Sequence, residues 1–336
     1  MQRPVPVPEE LINFIRTGRK FIVAGHKEPD GDCVGSQLAL AAVLERLGKE
    51  AIRCSAGPFK RTEIKPFEGF FKKAPTAEER DGAAVLLVDC GSTDRTGDLE
   101  PLLADLPLAI IDHHATGDHG KGKGIVFLDA EAPSVTFMVL AVIEALGLPL
   151  TAEEATSLFF GLCTDTGFFR HVDNGGAETF AYASRLVQAG ANPKNAFDTI
   201  HGGKSLGSRI LMGLVLSRTE SYYDGKLLLS TEQYEETQRF GREGRDSDTL
   251  YQVLQAVAGV EAIAIIRQET PETCAIGLRS RDAVDVAKVA VGLGGGGHKN
   301  AAGLTRAGAI GELKPRIIEA FRDQLGTGLE PKLAGY

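Results

Sequence analysis

The chain has 336 residues, 43% of them hydrophobic and 24% charged, and a formal net charge of −8. At roughly 150 residues per domain this length predicts two domains, and no apolar run approaches the roughly 20 residues that span a bilayer. The acidic balance argues against a broad basic face for long duplex nucleic acid, and five cysteines with no CxxC pair argue against a disulfide framework or a structural zinc.

The start, MQRPVPVPEE, is too rich in proline and acid for a secretory signal, so the expected location is the cytoplasm. Next, KFIVAGH reads as a short buried strand. CVGSQLALAAVLERLGKE follows with helical spacing, and Asp32 stands where a cap is needed. AAVLLVD, ending at Asp89, LPLAIID, ending at Asp112, and KGIVFLD, ending at Asp129, read as three more buried strands. SVTFMVLAVIEALG and TAEEATSLFFGLCTD read as helices, the second opening on a Thr-x-x-Glu capping box, and the stretch from Gly175 to Gly190 is helical. Continuous apolar strands between helices predict an α/β domain, a mostly parallel sheet covered on both faces.

HGGKSLGS, residues 201–208, has no periodicity and reads as a linker between a domain at 1–200 and another at 209–336. Beyond it, SYYDGKLLLS reads as a hairpin around Asp224-Gly225. VEAIAIIRQ and ETCAIGLRS read as strands, and DAVDVAKVAVGL and GELKPRIIEAFRDQL as helices, which makes a smaller α+β domain. Residues 1–204 carry 21 basic against 28 acidic residues, whereas 205–336 carry 16 against 17, so the acid sits in the first part.

That acid collects at strand ends. His26, Asp30 and Asp32 follow the first strand, Asp89 ends the next, and Asp112-His113-His114 ends another. In an open α/β sheet the carboxyl ends of the strands are where ligands bind. Converging carboxylates repel one another, and a divalent cation removes the conflict. About four Asp and two His, oxygens mixed with imidazoles, suit two Mn²⁺, Mg²⁺ or Fe²⁺ ions with a bridging carboxylate, the arrangement that hydrolyses phosphate esters. Asp165, at the end of the second helix above, would by itself read as a helix terminus.

Two glycine-rich stretches invite other readings. GLGGGG, 292–297, satisfies GxGxxG but follows a helix, so it is no dinucleotide fingerprint. GDHGKGK, 117–123, is followed by Gly124 where a phosphate loop needs Ser or Thr. The bare backbone of Gly294, Gly295, Gly296 and Gly297 still permits close approach of a phosphate or sugar, with His298 at its end and Arg279-Ser280 at the end of a strand. Arg95, Arg170 and His171 are weaker candidates for substrate contact, and Phe168, Phe169, Tyr222 and Tyr223 read as core or hairpin residues.

HKEPDGD, LLVDCG, IIDHHAT and LCTDTGFFRH, in this order, resemble the DHH phosphoesterase superfamily, and GLGGGGHKNAAG resembles the end of its DHH-associated C-terminal domain. The compact two-domain form is most similar to oligoribonucleases that also act as pAp phosphatases. The resemblance implies that His26, Asp30 and Asp89 hold one Mn²⁺, and that Asp32, Asp89, His113 and Asp165 hold a second. It implies His114 facing the scissile phosphate, Asp112 behind it, and Arg279, Ser280, the glycines and His298 on the substrate's terminal phosphate or nucleotide. The implied substrates are short RNA oligonucleotides of two to five nucleotides, or small nucleotides such as pAp, held as the second domain closes over the first. Linear or cyclic dinucleotides are the nearest alternative, with pyrophosphate, polyphosphate or a non-catalytic nucleotide sensor behind. A second copy of the chain, in a homodimer, is the remaining expected partner.

Overall fold

A computed structural model describes residues 6–114, 124–172, 176–281, 283–326 and 332–333. The stretch 117–123, rejected above as a phosphate loop, lies outside the described residues. The chain divides into two compact units, Met1–Gly203 and Lys204–Tyr336. No helix among the described residues is long and apolar enough to cross a membrane.

The first unit is built on β1 (Lys20–Ala24), β2 (Glu50–Cys54), β3 (Ala84–Val88), β4 (Leu108–Asp112) and β5 (Ile125–Leu128), all parallel, in the order β2-β1-β3-β4-β5. The strands are apolar on both faces because both are covered. Phe21 and Val23 of β1 enter one core, Ile22 and Ala24 the other. Its helices are α1 (Glu9–Thr17), α2 (Gly31–Arg46), α3 (Ala77–Arg80), α4 (Glu100–Leu103), α5 (Val135–Ala145), α6 (Ala152–Asp165), α7 (Ala177–Gln188) and α8 (Pro193–His201). After β1 the chain goes first to one side, β2, and then to the other, β3. The crevice beyond β1 and β3 is thus the switch point of the sheet, where such folds bind ligands.

Three local readings change. Helix α2 ends at Arg46, and Glu50 already belongs to β2. That edge strand, EAIRC, buries only Ile52 and Cys54, so its sequence carries a weak strand signal. The cap of α2 is Asp30 rather than Asp32: Asp30 is extended, and its Oδ1 accepts from the N–H groups of Asp32 and Cys33 at 3.1 Å each. Asp32 is already in the first turn. The capping box on α6 is present, with Thr151 and Glu154 each accepting from the other's backbone N–H.

Helices α2 and α6 cross at backbone distance. A Cβ on Gly35 would lie 2.5 Å from Ser157 O, and one on Gly161 would lie 2.5 Å from Thr136 Cγ2 and 3.1 Å from Asp32 Cα. This contact brings the end of α6, at Asp165, beside the start of α2. Gly161→Ala is therefore expected to cost about 1–3 kcal/mol by overpacking, measured as a lower denaturation midpoint in urea.

The second unit holds α9 (Leu206–Ser217), β6 (Glu220–Tyr222), β7 (Leu227–Glu232), α10 (Tyr234–Phe240), α11 (Ser247–Gln255), β8 (Ala262–Thr270), β9 (Thr273–Ser280), α12 (Val286–Gly292), β10 (Gly296–His298), β11 (Ala301–Ala307), α13 (Ile310–Ala320), α14 (Arg322–Leu325) and β12 (Lys332–Leu333). The strands form one mixed sheet in the order β10-β11-β9-β8-β7-β6-β12. The β6–β7 hairpin turns at Asp224-Gly225, with Tyr222 and Tyr223 in the core. Residues 206–208, expected in a linker, form the first turn of α9, which Ser205 caps by accepting from Ser208 N–H at 3.1 Å. The glycine run is also more regular than expected. Gly296, Gly297 and His298 are an edge strand paired to β11.

Candidate metal centre and phosphate-binding residues

The crevice beyond β1 and β3 gathers side chains from five places: His26 after β1, Asp30 and Asp32 at the start of α2, Asp89 after β3, His113 and His114 after β4, and Asp165 at the end of α6. Asp89 is central. Its Oδ2 lies 3.5 Å from His26 Nε2, and its Oδ1 lies 3.8 Å from His113 Nε2 and 3.6 Å from His114 Nδ1. It is 2% exposed, its Oδ1 accepts no hydrogen bond among the described residues, and its backbone is left-handed, with φ 54°. Left-handed backbone is uncommon away from glycine and gathers at functional sites.

The histidine protons are fixed by geometry. His26 Nδ1–H donates to Lys27 O at 2.8 Å, and His113 Nδ1–H donates to Ala132 O at 3.0 Å. A carbonyl only accepts, so each neutral ring presents Nε2 as a lone pair. Those lone pairs face carboxylates: His26 toward Asp89 and Asp30 (4.0 Å), His113 toward Asp89 and Asp165 (3.7 Å). Acceptors face acceptors, an arrangement completed by a cation at the centre.

His114 is held differently. Its Nδ1–H donates to Asp112 Oδ1 at 2.8 Å, and the same oxygen accepts from the backbone N–H groups of His113 and His114 at 2.9 and 3.3 Å. The buried Asp112 thus sets the turn and the ring together, with the Nε2 edge directed away from it. The hydrogen bond that His114 donates to Asp112 raises the His114 pKa, and although burial works to raise the Asp112 pKa, bonding to His114 leaves it lowered.

The other acids crowd one another. Burial, then Asp165, pushes Asp32 up to about 7. Burial, then Asp32 and Asp30, raises Asp89 well above the carboxylate range, and burial likewise raises Asp165. Burial disfavours the His113 cation, yet Asp32 and its neighbours raise it overall. Asp32 also has a structural role: Oδ2 accepts from Val135 N–H at 2.6 Å and Oδ1 from Thr136 N–H at 3.0 Å, at the start of α5.

Three groups of side chains offer donor atoms within 4.8 Å of one another: His26, Cys33 and Asp89; Asp89, His113 and His114; Asp32, His113 and Asp165. The expected ligands all reach the crevice. Asp30 stands at its edge, with Oδ1 occupied in capping α2, while Cys33, read from sequence as a buried thiol, places its sulfur beside His26 and Asp89. Only the i, i+7 spacing from His26 could have signalled it. The donor set of oxygens and imidazoles with a buried, orphaned Asp89 oxygen fits hard or borderline divalent cations.

In the second unit, strand register places His298, Ala301 and Arg279 side by side in one row of the sheet, on one face. Arg279 is half-buried. Ser280, by contrast, is buried, and its hydroxyl donates to Lys299 O at 3.1 Å, bracing the β10–β11 turn. The four glycines separate by role. A Cβ on Gly295 would lie 2.5 Å from Gly303 O, and one on Gly297 would lie 2.5 Å from Ala302 Cα; Gly294 and Gly297 also have φ of 83° and 144°. Gly296 meets nothing within 4 Å, so the hairpin does not require its bareness. Among the weaker candidates, Arg170 Nη2 sits 3.0 Å from His171 Nε2, and Arg95 O accepts from Lys27 N–H at 2.9 Å, tying its loop to the metal crevice.

A parallel sheet carrying an Asp/His crevice at its switch point, joined to a glycine-rich mixed-sheet unit, defines a two-domain phosphoesterase architecture. The chain belongs to the DHH family: residues 20–162 match the DHH family N-terminal domain, and residues 230–327 match the DHHA1 domain. It is 32% identical over 308 residues to the bifunctional oligoribonuclease and PAP phosphatase NrnA of Thermus thermophilus, covering 90% of this chain and 89% of that one. It is also 32% identical over 151 residues to a manganese-dependent inorganic pyrophosphatase of Methanothrix thermoacetophila, covering 44% of this chain and 48% of that protein. The fold matches that of an exopolyphosphatase-related protein from Bacteroides fragilis with TM-score 0.77 and 22% identity, over 94% of both chains.

Removing the charge at Asp89 separates its two effects. Metal-stripped Asp89→Asn is expected to melt at or above the metal-stripped wild type, because buried repulsion is relieved. Added Mn²⁺ is expected to raise the melting temperature of the wild type only, since a ligand at 100 times its Kd stabilises by about 2.7 kcal/mol. Thermal scans with and without chelator read both.

Proposed function

We propose that this chain is a metal-dependent phosphoesterase that hydrolyses short oligoribonucleotides to mononucleotides and pAp to AMP. Asp89 carries the reading: a buried, strained carboxylate with an orphaned oxygen, faced by two imidazole lone pairs, in a chain 32% identical over nearly its whole length to an oligoribonuclease and PAP phosphatase. His26, Asp30 and Asp89 would hold one ion and Asp32, Asp89, His113 and Asp165 a second, Mn²⁺ on this reading. When bound, such ions neutralise phosphate charge and lower the pKa of a water from 15.7 towards about 7.

The chain's own residues supply the rest. Lys27 O and Ala132 O keep His26 and His113 in the tautomer that offers Nε2. Asp112 holds His114 and favours its cation, whose Nε2–H donates to a non-bridging oxygen as charge develops on the phosphate. In the second unit Arg279 and His298 take the substrate's terminal phosphate, and Gly296 leaves the backbone open beside them. Ser280 acts indirectly, by holding the turn that carries His298.

The expected outcome is hydrolysis of pAp and of a trinucleotide, little action on a long RNA strand, and loss of all activity on chelation. Equal turnover of the long strand would refute the reading. Gly296→Ala is expected to keep the wild-type melting temperature while weakening trinucleotide binding, whereas Gly297→Ala lowers the melting temperature. Thermal scans and a binding isotherm distinguish the two.

A further inference from the structure

The face of the second unit's sheet that carries Arg279 and His298 has a second row beside them. Register aligns Gly296 of β10, Gly303 of β11 and Gly277 of β9 across three adjacent strands. All three are glycine, so this row is a floor without side chains next to the row His298–Ala301–Arg279. One aromatic residue bounds it. Tyr251, from α11, is 4% exposed, and its hydroxyl lies over Gly277, where an added Cβ would be 2.2 Å away.

The ring of Tyr251 lies under the guanidinium of Arg279, with Cζ 4.6 Å from the ring centroid. Arg279 Nη1 donates to Leu278 O at 3.0 Å, and among the described residues no carboxylate pairs with it. An arginine with no acid partner is usually held by solvent and moves among rotamers. Here the guanidinium carbon sits over the ring, which supports the group and leaves the donors other than Nη1 for an anion. A second arginine approaches the same ring. Arg267 Cζ stands 5.9 Å from the centroid, and that arginine is anchored by Ser247 Oγ at 3.1 Å and Glu232 at 3.5 Å. The Tyr251 hydroxyl, by contrast, is buried and makes no hydrogen bond among the described residues. A buried hydroxyl with no partner costs free energy, so the residue's contribution here is its aromatic face rather than its polar end.

We infer that Tyr251 is a positioning residue for substrate binding: its ring supports the guanidinium of Arg279 from one side, with the remaining donors presented to the terminal phosphate beside the open Gly303–Gly296 part of the floor. The inference rests on the reading of Arg279 as the phosphate-binding arginine. It predicts that affinity for the phosphorylated end, and not the chemical step, depends on an aromatic ring at position 251. It predicts equally that the phenolic oxygen is dispensable.

The test is a double-mutant cycle on the full chain loaded with Mn²⁺, with a 5′-phosphorylated trinucleotide and its unphosphorylated counterpart. Arg279→Ala tests the underlying reading. Tyr251→Leu, and the longer Tyr251→Met should Leu lower the melting temperature, remove the ring. Tyr251→Phe removes only the hydroxyl. The expected result is a roughly tenfold rise in KM for the phosphorylated substrate in the ring-less variants, with kcat changed far less. Phe should restore the wild-type KM, and Arg279→Ala with Tyr251→Leu should be no worse than Arg279→Ala alone. If Arg279→Ala leaves KM for the phosphorylated substrate unchanged, the reading of Arg279 fails. If Arg279→Ala raises KM but neither ring-less variant does, or if the two effects add, Tyr251 is not the positioning residue and the inference is overturned. A rise that is equal for both substrates overturns it too, because the ring would then not act through the phosphate.

Discussion

One electrostatic conflict organises the first unit. Asp89 is buried at the end of a central strand, in a left-handed backbone conformation, with other carboxylates and two imidazole lone pairs turned toward the same space. No arrangement of protons satisfies all of these acceptors together. Protonating the acids sacrifices the anionic ligands, and protonating His113 sacrifices its lone pair. A divalent charge resolves the conflict without either loss. The surrounding fold is what keeps the conflict from relaxing: a parallel sheet covered on both sides, two helices crossing at glycine contacts, and carbonyls that fix two histidine tautomers.

On the proposed reading, the two units would handle phosphate by different means. The first concentrates negative side chains, which is useful only with cations. The second offers cationic groups and bare backbone on a nearly neutral domain. A cationic face as broad as that of a nucleic-acid scaffold is absent from the composition, and the second unit's acids and bases nearly balance. Recognition of a short substrate's end needs one well-held arginine, a histidine and an unobstructed floor, rather than a field extending along a strand.

Much of the fold was legible in the sequence. The apolar runs at 84–88 and 108–112 gave buried strands because both sheet faces are covered, and acids at their ends marked the binding edge. The edge strand at 50–54 was not legible, since it buries only two side chains and its polar residues continue the pattern of the preceding helix. The gathering of acids and histidines in one crevice was largely readable because those residues stand at strand ends. The cap was misassigned because Asp30 and Asp32 both precede the helical pattern, and only backbone geometry separates a capping residue from a first-turn residue. In the glycine run, residue type suggested open backbone, but pairing decides which glycines the fold needs. Tyr251 was invisible, as its neighbour Arg279 is 28 residues away and is reached only through sheet register and helix packing.

Asp32 shows how tightly the crevice is joined to its scaffold. Its two oxygens accept the opening N–H groups of α5 while it reaches the group formed with His113 and Asp165. The carboxylate is therefore a rivet between helices as well as a candidate donor, and truncating it unfastens α5 from α2 while removing one oxygen from the crevice. Loss of turnover in an Asp32 variant would consequently mix lost architecture with any lost coordination, whereas the Asp165 carboxylate, which accepts no helix N–H among the described residues, would report on coordination more directly.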